Sequence, residues 1–153
     1  MNLPTRLPAI LLIEDNIDDY EATARSFRKA NFLNPLHWCS NARDGIDFLR
    51  RSGKYANDKS VERPGLILLD LNMPGMDGRV ALKTIKADPG LRSIPVIILT
   101  TSADDRDIEH CYASGASTYI QKPVGFGGLV EAAHRMKDYW FGVALLPTRA
   151  DFS

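Results

Sequence analysis

The sequence predicts an α/β domain in which five parallel strands form one doubly wound sheet with helices on both faces. Three observations lead there. Short apolar runs alternate, five times each, with stretches whose apolar residues recur at three- and four-residue spacing. Three of the runs, "AILLI", "LILL" and "PVIIL", are apolar throughout, as strands covered on both faces require. The strands end in ionisable or hydroxyl residues, and in a parallel sheet all of those ends reach one edge, where ligands gather at the reversal of strand order.

The elements follow in order. Ala9–Ile13 is the first strand, stopped by Glu14-Asp15-Asn16. Ile17, Tyr20, Ala24 and Phe27 then mark a helix ending near Ala30-Asn31, with Asp15 or Asn16 placed to cap it. Pro35–Ser40 is a short strand. Ala42, Ile46 and Leu49 share a helical face, and Gly53 is the stop signal. "KYANDKSVERPG" is polar and unpatterned, so an exposed connection is expected. Leu66–Leu69 is the third strand. A helix from about Arg79, capped by Asp77, carries Val80, Leu82 and Ile85 and ends at Asp88–Gly90. Pro95–Thr100 is a strand, "DDRDIEHCYASG" a helix stopped by Gly115, and "STYIQKP" a fifth, shorter strand. The last helix is expected from about Gly128 through Trp140, because the glycines before it each cost a helix about 0.5–1 kcal/mol.

A chain of 153 residues makes one domain with a full core. We expect a single domain over 1–153, with a core of about 9–141, an aromatic and apolar tail over 142–153 and no output domain. Nineteen basic and nineteen acidic side chains balance, which argues against nucleic acid or an anionic membrane as the main partner. No apolar run approaches the roughly 20 residues of a membrane span, and "LPAILLI" lacks the cleavage site of a signal peptide. Cys39 and Cys111 lie far apart and read as free thiols in a reducing compartment, so the expected location is the cytoplasm. His37, His110 and His134 have no mutual spacing suited to a metal or a relay.

The strand ends carry the chemistry. Glu14-Asp15, Asp70, Thr100-Thr101-Ser102 and Lys122 converge if the sheet is parallel. Three carboxylates in one pocket repel unless a counter-charge joins them, and Mg²⁺ accepts a few carboxylates plus waters and a phosphate. The set has the parts for phosphoryl transfer. Asp70 is the nucleophile, Glu14 and Asp15 hold the metal, Lys122 presents a point charge to phosphoryl oxygens, and Thr100 offers a hydroxyl.

"LLIEDN", "LILLDLNMPGMDG", "VIILTTSA" and "YIQKP", in that order, resemble the receiver domain of two-component response regulators, over essentially Ile10 to Trp140. The resemblance implies a flavodoxin-like sheet of order 2-1-3-4-5. It also implies Asp70 as phosphoacceptor, Asp15 as direct Mg²⁺ ligand, Glu14 as outer acid and the backbone carbonyl of Asn72 as a further ligand. Thr100 would move toward the phosphate, Tyr119 would swing inward behind it, and Lys122 would bind it. Asn72 and Ser102 match the positions that line the path of the hydrolytic water and tune phosphate lifetime. The long connection at Lys54–Arg63 and the tail "DYWFGVALLP" resemble stand-alone receivers that serve phytochrome-type histidine kinases.

The implied partner is a sensor histidine kinase, a bacteriophytochrome on the closer resemblance. The implied output is a changed association surface on the fourth helix, fifth strand and fifth helix, with homodimerisation as one form. Phe126, Leu129 or Val130, Ala133, Met136 and Trp140 form a core-facing stripe, and the remaining apolar residues of the tail exceed what one face buries. They either fold back on the domain or meet a partner, as a dimer seam or a kinase contact. Two other functions fit parts of the pattern. An aspartate-nucleophile phosphatase needs a general acid where Asn72 stands, and a receiver-like module that is never phosphorylated would lack an acid or the lysine retained here.

Overall fold

The computed structural model describes residues 7–147. The elements run β1 (Ala9–Ile13), α1 (Ile17–Lys29), β2 (Leu36–Cys39), α2 (Ala42–Arg50), a short 3₁₀ turn (Gly53–Tyr55), β3 (Pro64–Leu69), α3 (Gly78–Ala87), β4 (Val96–Thr100), α4 (Asp105–Ala113), β5 (Thr118–Gln121) and α5 (Phe126–Trp140). All five strands are parallel, in the order β2-β1-β3-β4-β5. The flavodoxin-like fold expected from the sequence is the fold observed. The ends of the anticipated 1–153 domain, and with them the last six residues of the expected tail, lie outside the described residues.

Side chains alternate across the sheet, as the two-residue period of a strand dictates. Leu11, Ile13, Ile67, Leu69 and Ile98 enter the core beneath α2, α3 and α4, together with Ile46, Leu82 and Cys111. Ile10, Leu12, Leu66, Leu68 and Ile97 enter the opposite core with Phe27, Ala133 and Met136 from α1 and α5. The central strands are buried almost end to end while β2 and β5, at the edges, are half-covered. Among the described residues no helix is long and apolar enough to cross a membrane.

Three expectations need correction. The connection after α2 is not wholly exposed. Tyr55 packs on Phe48, ring centroids 5.3 Å apart, and Val61 is buried, so two apolar side chains anchor an otherwise polar loop. Val80 is half-exposed, and Ala81, Leu82 and Ile85 make the buried face of α3. Finally, α5 begins at Phe126, two residues before the expected start, after Gly125 at φ +87°. A left-handed residue suits glycine, and a side chain at Gly128 would stand 2.8 Å from Pro123 Cβ. Both glycines therefore serve the tight entry into the helix.

The tail divides. Phe141 meets Phe32 edge-on at 5.8 Å, and Leu146 reaches back against Gly65 on β3. Tyr139, Val143 and Leu145 stay exposed. Of the stripe assigned to α5, Ala133 and Met136 are buried and Trp140 packs against the core, whereas Phe126 lies at the surface under the Arg25 guanidinium.

Candidate functional site

Each site residue is held by the strand that delivers it. The Glu14 amide donates to the Cys39 carbonyl at 3.1 Å, and the Trp38 indole N–H donates to the Glu14 carbonyl at 2.7 Å. The Asp70 amide donates to Ile13 (3.1 Å) and the Lys122 amide to Thr100 (2.7 Å). These bonds extend the sheet ladder by one residue past the strands and fix where the side chains start. Asn16, not Asp15, caps α1, accepting from the Asp19 amide at 3.0 Å. Asp15 is thereby free of the cap and stands exposed at the rim. Asp77 caps α3, accepting from the Arg79 amide, as its sequence position suggests.

The carboxylates of Glu14, Asp15 and Asp70 lie within 4.8 Å of one another. Lys122 closes the mouth. Its Nζ stands 3.1 Å from Glu14 Oε2, 3.1 Å from Asp19 Oδ2 and 3.9 Å from Asp70 Oδ2. Glu14 and Asp70 are buried. Burial first, and the Asp70 charge second, push the Glu14 carboxyl up to about 8 against the pull of Lys122. For Lys122, burial works to lower the value, but Asp70, Glu14 and Asp19 together outweigh it and the ammonium is held above its ordinary range. One ammonium does not balance this many anions. An all-oxygen donor set that remains over-charged fits a hard divalent cation such as Mg²⁺ and no soft metal.

Thr100 is fully buried, and its hydroxyl accepts from the Asn72 amide at 3.5 Å, joining two strand ends at the mouth. Tyr119, expected to swing inward, is already turned in. It packs on the core, and its hydroxyl donates to the Ser102 carbonyl at 2.9 Å. The Ser102 hydroxyl donates to Asp107 at 2.7 Å, so it faces α4. Asp107 also receives the Arg79 guanidinium at 2.8 Å. The Arg79 bond first, and then the Ser102 bond, hold the Asp107 carboxyl down at about 2.

Sequence reasoning missed two contributors. Asp19 touches Lys122 from the first turn of α1, and no sequence pattern separates it from Asp18 beside it. Arg79 links α3 to α4 through Asp107, a contact between distant turns that no local pattern announces. Cys39 and Cys111 are buried free thiols, the Cys39 thiol pushed up to about 11 by burial. His37 pairs with Glu62 at 3.1 Å, outside the carboxylate cluster.

Comparison with known proteins identifies the family. Residues 10–134 match the model of the response regulator receiver domain. The chain is 35% identical over 133 residues to the probable methanogenesis regulatory protein FilR2 of Methanothrix harundinacea, covering 87% of this chain and 83% of that protein. It is 33% identical over 138 residues to response regulator Rcp1 of Synechocystis, covering 90% and 92%. The crystal structure of the Mn²⁺-bound form of Rcp1 superposes with a TM-score of 0.83 over 92% of this chain and 99% of that one. That of the phosphorylated cyanobacterial phytochrome response regulator RcpA, 34% identical, gives 0.85 over 93% and 99%.

Proposed function

The chain belongs to the response regulator receiver family of two-component signalling, and from that premise we propose that it is a phosphorylation switch whose acceptor is Asp70. The donor is the phosphohistidine of a sensor kinase. Similarity to the phytochrome response regulator RcpA supports a phytochrome-type kinase in this role. The carrying observation is the meeting of Lys122 with Glu14 and Asp70 at one sheet edge.

In the transfer, an Asp70 carboxylate oxygen forms the new bond to phosphorus as the phosphorus–nitrogen bond of the donor breaks. The departing ring nitrogen takes the electron pair and a proton. Asp15 and Asp70, with the Asn72 carbonyl and with Glu14 as outer acid, would hold Mg²⁺, which when bound supplies positive charge against the crowded oxygens. Lys122 offers its ammonium to the phosphoryl oxygens and Thr100 its hydroxyl. Asn72 stands exposed at the mouth, where it governs access of the hydrolytic water, while the Ser102 hydroxyl is engaged by Asp107 and faces α4.

The added charge biases two states of the loop after β4. That loop holds Ser102, whose carbonyl is bonded to Tyr119 on β5 and whose hydroxyl is bonded to Asp107 on α4. A shift at Thr100 therefore reaches the α4–β5–α5 face, and self-pairing through that face and the exposed tail residues is the proposed output. Turnover of free phosphate esters is disfavoured by Asn72, which cannot protonate a leaving group.

The test is intact-mass measurement after incubation with acetyl phosphate and Mg²⁺. The unaltered chain gains one phosphoryl group and Asp70→Asn gains none. Labelling of the variant at the unaltered level would overturn the assignment.

A further inference from the structure

The Lys122 ammonium has three N–H donors. At rest it directs them toward Glu14 and Asp19, at 3.1 Å each, while Asp70 Oδ2 lies at 3.9 Å, beyond hydrogen-bond reach. Two of the three donors are engaged, but the nitrogen is anchored 3.9 Å from Asp70, and moving it toward a phosphoryl group there lengthens the contacts to its present partners, so the more weakly held of the two yields. The two differ sharply in what release costs. The Glu14 side chain is 3% exposed, and deserting it leaves a buried carboxyl without its hydrogen-bond partner. The Asp19 side chain is 48% exposed and borders an open cleft of about 330 Å³, lined also by Thr23, Arg25, Phe126 and Leu129. Water rehydrates it at little cost.

We propose that Asp19 is a positioning residue: it holds Lys122 back from Asp70 in the resting protein and is the partner Lys122 surrenders when a phosphoryl group arrives. The proposal rests on the reading of Asp70 as phosphoacceptor. Asp19 touches no reacting atom. It sets how strongly the site welcomes the phosphoryl group by competing for the same ammonium.

The experiment is a titration with beryllofluoride, a phosphoryl mimic, at saturating Mg²⁺, followed by ¹⁹F NMR of the bound species. Asp19→Asn removes the competitor and tightens binding about two- to fivefold, the range of a half-exposed ion pair. Asp19→Glu restores the charge and returns affinity toward the unaltered value. Asp18→Asn, an exposed acid in the same helical turn, removes the same charge without the contact and leaves affinity unchanged. The gain in Asp19→Asn shrinks near 1 M salt, where charges are screened within about 3 Å. Asp19→Asn binding no tighter than the unaltered chain, or no tighter than Asp18→Asn, would overturn the positioning role alone. Failure of the unaltered chain to bind the mimic would instead overturn the phosphoacceptor reading beneath it.

Discussion

Lys122 and Glu14 stand 108 positions apart in the chain, yet the ammonium nitrogen lies 3.1 Å from the carboxylate Oε2. The contact exists because β1 and β5 run parallel and end at the same edge. It is also a compromise. Glu14 is buried, and both that burial and its neighbour Asp70 make ionisation harder. Local conflict of this kind in an otherwise consistent fold is what functional sites characteristically retain, and it supports the proposed reading of the acidic edge.

Relieving the conflict should stabilise the protein and harm the site. Glu14→Gln keeps the shape and an acceptor for Lys122 while removing one of the crowded charges. Thermal unfolding of the metal-free variant at pH 8 should shift up by a few degrees, on the order of 1 kcal/mol. Mg²⁺ affinity, measured by calorimetry, should fall about tenfold. A variant that is less stable and binds Mg²⁺ unchanged would show that the acids are not a metal site.

The pH dependence has a definite sign. Glu14 rises from an ordinary 4.5 to about 8 in the folded chain, so the metal-free fold binds a proton there that the unfolded chain releases. Its contribution to stability is complete below about 4.5 and is lost as pH rises through about 8. Mg²⁺ bound beside Glu14 would displace that proton. Mg²⁺ affinity should therefore climb with pH up to about 8 and level off above it. Calorimetry at pH 7 in buffers of different ionisation enthalpy should register proton release on Mg²⁺ binding. Zero release would mean Glu14 is already ionised.

Two glycines should respond oppositely to alanine. At Gly78 a Cβ would overlap the Asp70 carbonyl oxygen and stand 2.6 Å from Leu71 Cα, both backbone atoms with little room to yield. Gly78→Ala should cost about 1–3 kcal/mol by overpacking and, by displacing Asp70, weaken Mg²⁺ binding. At Gly127, inside α5, a Cβ meets nothing within 4 Å. Gly127→Ala, in the first turn of the helix, should stabilise by up to about 0.5 kcal/mol with Mg²⁺ affinity unchanged. Chemical denaturation of both variants checks the pair.

The strands and the acidic edge were legible because unbroken apolar runs and abrupt carboxylates are local signals. Asp77 capping α3 was legible for the same reason. Tyr55 and Val61 were not, since one aromatic and one valine in a polar stretch have no period to betray burial. The early start of α5 escaped because the intrinsic penalty of glycine was read without the packing that offsets it, Ala133 and Met136 in the core and Gly128 against Pro123. The Ser102 hydroxyl was assigned by resemblance to the water path, and its bond to Asp107 depends on the turn into α4.

The tail offers the sharpest test of output. Cutting the chain after Asp138 would also remove Trp140 and Phe141, which pack against the core, so loss of association would be confounded with loss of fold. Val143 and Leu145 are 72% and 97% exposed, and charges placed there touch nothing buried. Val143→Asp with Leu145→Asp should leave stability within about 0.5 kcal/mol of the unaltered chain, as exposed substitutions do. Phosphorylation by acetyl phosphate should also persist. If the exposed tail is a seam between copies, sedimentation of the double variant should show a dimer weakened at least tenfold, because two charges would be buried without partners at the interface. An unchanged dimer would move the seam onto α4 and β5, away from the tail. A chain that is monomeric throughout would leave the exposed apolar residues to the kinase, and the same double variant should then slow phosphoryl transfer from the kinase while transfer from acetyl phosphate is spared.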